Sequence, residues 1–191
     1  MISLPLVYTI LALIAYTTSF WYVVMHLMSK RPSNPWFIAI VSGLGLILHS
    51  SVLYNDMVMP YGINYDVFNL MSFTSGLMLL LSLLYSTYRP VSALNLIGIP
   101  VAALGLILGF CFSEPNQIIE QHSLGLDFHI ILSLSAYAVL LMATIQAVLI
   151  WFQNRELKKK QKKRIWVNFL PSYQAMESLL FDMLFTGFSL L

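Results

Sequence analysis

Six long apolar runs, separated by short polar connectors, decide what this chain can fold into. They lie at about residues 4–26, 36–54, 67–88, 93–112, 126–152 and 173–191. A hydrocarbon core about 30 Å thick needs roughly 20 apolar residues per helix, and these runs match that length. Only helices and closed barrels satisfy their backbone polar groups inside a bilayer. The runs are too long and too uniformly apolar for the alternating strands of a barrel. Composition agrees, with 59% hydrophobic and only 9% charged residues in 191. The expected fold is all-α: one polytopic transmembrane helix bundle of about six spans, residues 1–191, with the lipid bilayer as its surroundings. The first run has no basic leader and no small-residue cleavage site, so it reads as a retained span. The last run stops within the apolar "FTGFSLL", which predicts a C-terminally truncated chain whose full-length form adds further helices.

Charge orients the spans. The connector "SKRPSN" holds Lys30 and Arg31, "TYRPVS" holds Arg89, and the segment 153–166 holds the other seven basic residues. The intervening connectors carry Asp56, Asp66, Glu114, Glu120 and Asp127 and no Lys or Arg. All ten basic residues therefore fall on one side, which the positive-inside rule makes cytoplasmic, with the N-terminus outside. Trp36, Trp151 and Trp166 lie near the same boundary, as interfacial anchors do. The basic loop 153–166 reads as a topology signal with attraction for anionic lipid, and not as a nucleic-acid site. The expected location is a bacterial inner membrane.

Several chemistries are excluded by what the chain lacks. With Cys111 as its single cysteine it has no internal disulfide, no C-x-x-C and no C-x-x-C-H for covalent haem attachment. There is no P-loop, no G-x-G-x-x-G and no G-x-S-x-G. No enzymatic activity is expected. "GLILG" at Gly105–Gly109 is a helix-packing motif, and Ser72, Ser75 and Ser82 with Gly76 read as helix-contact residues.

The informative residues are ionisable groups at membrane depth, which are costly and face protein or water. His26 closes the first run at the cytoplasmic edge and reads as interfacial. Glu177 can still reach interfacial water, and Asp182 reads as a helix–helix hydrogen-bonding group. His49 has Gly45 and Ser42 four and seven residues before it, a small-residue stripe that predicts contact with another helix. His129 opens the fifth run with Ser133, Ala136, Ala143 and Ala147 along its own stripe. Counted from the outer helix ends the two histidines lie within ~3 Å in depth, and from the span midpoints nearer ~9 Å. Two inward imidazoles at one depth could serve as paired axial ligands of a haem iron, as metal ligands or as a proton relay. The alternative is two unrelated histidines, each satisfied by a serine or a carbonyl. His122 lies in the outer connector, two helical turns before His129, as a gate residue or a solvated loop residue.

The stretch from His129 through "HIILSLSAYAVL" to Ala143, Gln146 and Ala147, followed by a basic loop, resembles the cytochrome c assembly transmembrane family. So do Leu170-Pro171 with Met176, Glu177, Leu180 and Phe181, "LHSSVLY" in the second run and "NLMSFTSGLM" in the third. The resemblance covers most of the chain and is most specific over residues 122–188. It implies a haem-binding or haem-handling inner-membrane protein of cytochrome c assembly, with non-covalent haem. His49 and His129 would be its axial ligands, His122 a cofactor-binding loop histidine, and other cytochrome c maturation components its partners. Neither outer connector contains a tryptophan, so the resemblance does not extend to an external haem-docking platform. The alternative function is a transporter or metal-ion transport accessory protein using the same intramembrane histidines.

Overall fold

A computed structural model describes residues 3–29, 34–59, 62–88, 92–114, 118–119, 124–158, 170 and 172–191. Among these residues the chain is a polytopic all-α bundle of six helices: α1 (Leu4–Met28), α2 (Pro35–Met57), α3 (Val67–Tyr88), α4 (Ser92–Phe112), α5 (Leu124–Lys158) and α6 (Tyr173–Leu190). Five of them are long and apolar enough to cross a membrane. The expected sixth span, α6, is not among the five: Glu177 and Asp182 fall within its 18 residues and lower its apolarity. α5 runs past the apolar stretch to Lys158, because good helix formers continue the ladder after apolarity ends. Its 35 residues span about 52 Å, well beyond the hydrocarbon thickness. At that end Arg155 stacks over Trp151, 5.5 Å from the ring centroid, on an exposed face.

Large apolar side chains such as Trp21, Ile40, Ile47, Phe181 and Phe185 point outward, while many small and polar ones are buried beside Leu79, Ile99 and Leu106. That inversion follows from the solvent: lipid is as apolar as leucine, so helix contacts are decided by close approach and hydrogen bonds. The α1–α2 pair shows the rule. Thr9, Ala12, Tyr16, Ser19 and Val23 are buried on α1, and Val52, His49, Gly45, Ser42 and Ile38 on α2. Both sets alternate steps of three and four residues, the seam of a left-handed antiparallel pair. Tyr16 lies over Gly45, where an added Cβ would come within 2.8 Å of its ring.

The α3–α4 pair joins a serine face to a glycine face. A Cβ at Gly98 would meet Ser82, one at Gly105 would collide with Ser75, and one at Gly109 would come within 2.9 Å of Ser72. The packing motif and the serine stripe read from the sequence are thus two sides of one interface. Ser82 also donates to Asn95 Oδ1 at 2.6 Å. α3 is central, packed against α2, α4 and α5. Its Leu79 enters a core with α1, α2 and α4, and the adjacent Met78 enters a second core with α4, α5 and α6.

A feature absent from the sequence expectation closes one end. The α2–α3 connector forms a hairpin, β1 (Val58–Met59) with β2 (Gly62–Asn64), and β2 pairs antiparallel with β3 (Ile118–Ile119) from the α4–α5 connector. Both acidic connectors therefore meet at the same end of the bundle. Asn64, almost wholly buried, donates to the Glu114 carbonyl at 3.0 Å and accepts from the Asp66 N–H. Asp66 in turn accepts from the Phe68 N–H and starts α3.

Candidate functional site

His49 is 1% exposed and sits where α1, α2 and α3 meet. The small-residue stripe does place it against another helix, as expected. A Cβ at Gly76 of α3 would lie 3.5 Å from its ring, so glycine leaves the imidazole room. Both ring nitrogens are engaged. Nδ1 lies 3.1 Å from the Tyr16 hydroxyl of α1, and Nε2 lies 2.8 Å from the Ser72 hydroxyl of α3. Tyr16 meets the ring edge-on, with centroids 6.2 Å apart. One imidazole thus ties three helices together through a Tyr–His–Ser chain.

Beside this chain lies a cleft of about 440 Å³. His49, Ser50 and Ser72 supply its polar side chains with Gly76 beside them, and Leu46, Phe73 and Leu77 are among its apolar walls. Val58 and Ile63 of the hairpin border it at the sheet end. Its rim includes Tyr54, Leu80 and Ile131, all exposed on the apolar flank of the bundle. The cleft is therefore open sideways, toward lipid in a membrane. No Lys, Arg, Asp or Glu lines it among the described residues.

The other candidate histidines lie elsewhere. His129 is exposed on α5, and the residue of that helix lining the cleft among the described residues is Ile131. Advancing 100° per residue, the buried α5 set Val139, Met142, Gln146, Ile150 and Gln153 centres about 100° away from His129. Its stripe divides accordingly: Ala136 and Ala143 are buried, Ala147 exposed. His122 lies outside the described residues. His26 is at the α1 end, its Nδ1 3.0 Å from the Tyr22 carbonyl and its ring stacked on Tyr22 at 4.0 Å. Among the described residues no group of three or more His, Cys, Asp and Glu could hold a metal ion.

Close to the cleft mouth, the Tyr65 hydroxyl donates to Asp127 Oδ1 at 2.5 Å, joining the α2–α3 connector to α5. Partial burial and the neighbouring carboxylate push the Tyr65 phenol up to about 12, so it remains the donor.

A haem would need an apolar slot with an imidazole nitrogen presented from one wall. The cleft supplies the walls and His49 supplies the imidazole, provided that Nε2 exchanges its bond to Ser72. A second imidazole is not brought to this cleft among the described residues, so the fit is to a one-histidine arrangement and not to the expected His49–His129 pair. Tyr16 and Ser72 were missed as site residues. Their signals were the three-four spacing of Thr9, Ala12, Tyr16, Ser19 and Val23, and the position of Ser72 one turn before Gly76. Comparison with protein-family models, curated proteins and solved structures returned no match.

Proposed function

We propose that this chain is a haem-binding, haem-handling membrane protein of cytochrome c assembly, with N-terminus outside a bacterial inner membrane. The observation that carries the reading is the lateral apolar cleft with the single buried imidazole of His49 in its wall. The resemblance of "LHSSVLY", "NLMSFTSGLM" and the His129 stretch to that family supports it. His49 would hold the haem, which would supply the chemistry of its iron. The chain's own residues do the rest. Tyr16 accepts or donates at Nδ1 and fixes the plane of the ring, Gly76 leaves the ring uncovered, and Leu46, Phe73 and Leu77 exclude water. His129 and His122 stand as further candidate ligands on the resemblance alone, since the cleft takes only Ile131 from α5 among the described residues. The test is a Soret spectrum of protein purified after haem-replete expression, repeated with His49→Ala and His129→Ala. An intense Soret band lost in His49→Ala is expected; a haem-free protein, or spectra indifferent to both changes, refutes the reading.

A second reading, transport of an ion or proton or service to a metal-ion transporter, is favoured by one observation. Tyr16, His49 and Ser72 form a continuous hydrogen-bonded chain across three helices. A metal-dependent growth defect of a deletion strain without any loss of c-type cytochromes would select it.

A further inference from the structure

The Tyr16–His49–Ser72 chain is one acceptor short. A neutral imidazole donates through one nitrogen and accepts through the other. If Tyr16 donates to Nδ1, then Nε2–H donates to Ser72, and the Ser72 proton has no acceptor. If Ser72 donates to Nε2, the Tyr16 proton is the one left over. Neither hydroxyl has another partner among the described residues. Ser72 does not make the bond to the carbonyl four residues back that Ser50, Ser51 and Thr74 make. Both hydroxyl residues are buried, Tyr16 at 0% and Ser72 at 2% exposure, where an unpaired donor is costly.

The missing acceptor has one route in. Ser72 lines the cleft and Tyr16 does not. We infer that the cleft binds a neutral, membrane-soluble quinone, one ring carbonyl of which accepts a hydrogen bond from Ser72. That acceptor sets the polarity of the whole chain: Tyr16 donates to Nδ1, Nε2–H donates to Ser72, and Ser72 donates to the carbonyl. All three protons are then used.

The chemistry of the cleft narrows the class. A carboxylate would have to lie unpaired, since no cation lines the cleft among the described residues. An alcohol or quinol brings a further proton of its own and restores the surplus. A phospholipid ester lies too high, because His49 is about 12 Å below the end of α2 at Met57. A quinone is neutral, lives within the hydrocarbon core, and presents a flat ring to Phe73 and Tyr54 with a tail that leaves past Leu80 and Ile131. The inference does not rest on the haem reading and competes with it for the cleft, since an Nε2 that donates to Ser72 is not free to hold an iron. A protein without a Soret band can still bind quinone.

The test uses the full chain in lipid nanodiscs with a decyl-substituted benzoquinone and the corresponding quinol. Binding is followed by calorimetry, and the carbonyl stretch by infrared spectroscopy. The quinone is expected to bind about tenfold or more tighter than the quinol, with one carbonyl band moved to lower frequency. Ser72→Ala should bring quinone affinity down to that of the quinol and abolish the band shift. Thr74→Ala, a control on the same helix, should leave both unchanged, and thermal unfolding of each variant verifies folding. Equal binding of quinone and quinol, or indifference to Ser72→Ala in a folded protein, overturns the inference. Equal binding of a long-chain methyl ketone overturns the assignment of the ring.

Discussion

The glycine face of α4 offers a graded test of how the helices meet. Replacing Gly105 by Ala puts a methyl group against Ser75, 2.7 Å from its Cβ and 3.3 Å from the Met71 carbonyl oxygen. The Ser75 hydroxyl can rotate aside, but its Cβ and the Met71 backbone cannot, so α3 and α4 must separate. Overpacking of this kind costs about 1–3 kcal/mol, against a gain of up to ~1 kcal/mol from helix propensity. Gly43→Ala meets nothing within 4 Å and should be neutral or slightly stabilising. The difference between the two variants, about 1–3 kcal/mol, is measurable by equilibrium unfolding with SDS in mixed micelles. Relief should be specific: Ser75→Gly, which removes both clashing atoms, rescues much of the loss in Gly105→Ala, whereas Ser75→Ala, which keeps the Cβ, does not. A coupling of about 0.5–3 kcal/mol is expected from the double-mutant cycle. Gly105→Ala as stable as Gly43→Ala, or equal rescue by Ala and Gly at position 75, would refute this account of the α3–α4 contact.

His49→Leu strips both Tyr16 and Ser72 of their partner at about 1–3 kcal/mol for each stranded hydroxyl, and His49→Gln should lose less in the same unfolding assay. Asn64→Leu removes the hydrogen bonds to the Glu114 carbonyl and from the Asp66 N–H; a loss of about 1–3 kcal/mol and faster backbone hydrogen exchange in β2 and β3 are expected. Tyr65 is held with its phenol raised from 10.0 to about 12. Its contribution to stability is therefore complete below pH 10 and falls as pH rises toward 12; a tyrosinate absorbance titration of the protein minus that of Tyr65→Phe should place this one group near the upper value.

Helix positions were legible because they rest on run length and the absence of charge, and the observed ends of α1 to α4 lie within three residues of the apolar runs. The end of α5 was not, since residues Gln153 to Lys158 are polar but for Leu157 and yet continue the helix. Nor was the small sheet: strands of two and three residues carry no periodicity, and their pairing joins connectors far apart in the chain. The burial of His49 was legible from Gly45 and Ser42. Its partners were not, because sequence spacing gives the depth of a residue in a bundle but not which neighbour the helix turns it toward. Depth alone suggested His129; rotation about the helix axis delivered Tyr16 and Ser72 instead.

The sheet that closes the acidic end also has a mechanical meaning. β3 and the Tyr65–Asp127 bond stitch the start of α5 to the hairpin between α2 and α3, whereas the far end of α5 leads into the basic loop. α5 is thus held twice, by these pins at the acidic end and by the second core further along, where Leu94 near the start of α4 is buried with Met142 and Met183. The wall of the cleft at Ile131 lies only four residues from the Asp127 pin, so the pocket around His49 is braced at the end that the sheet closes.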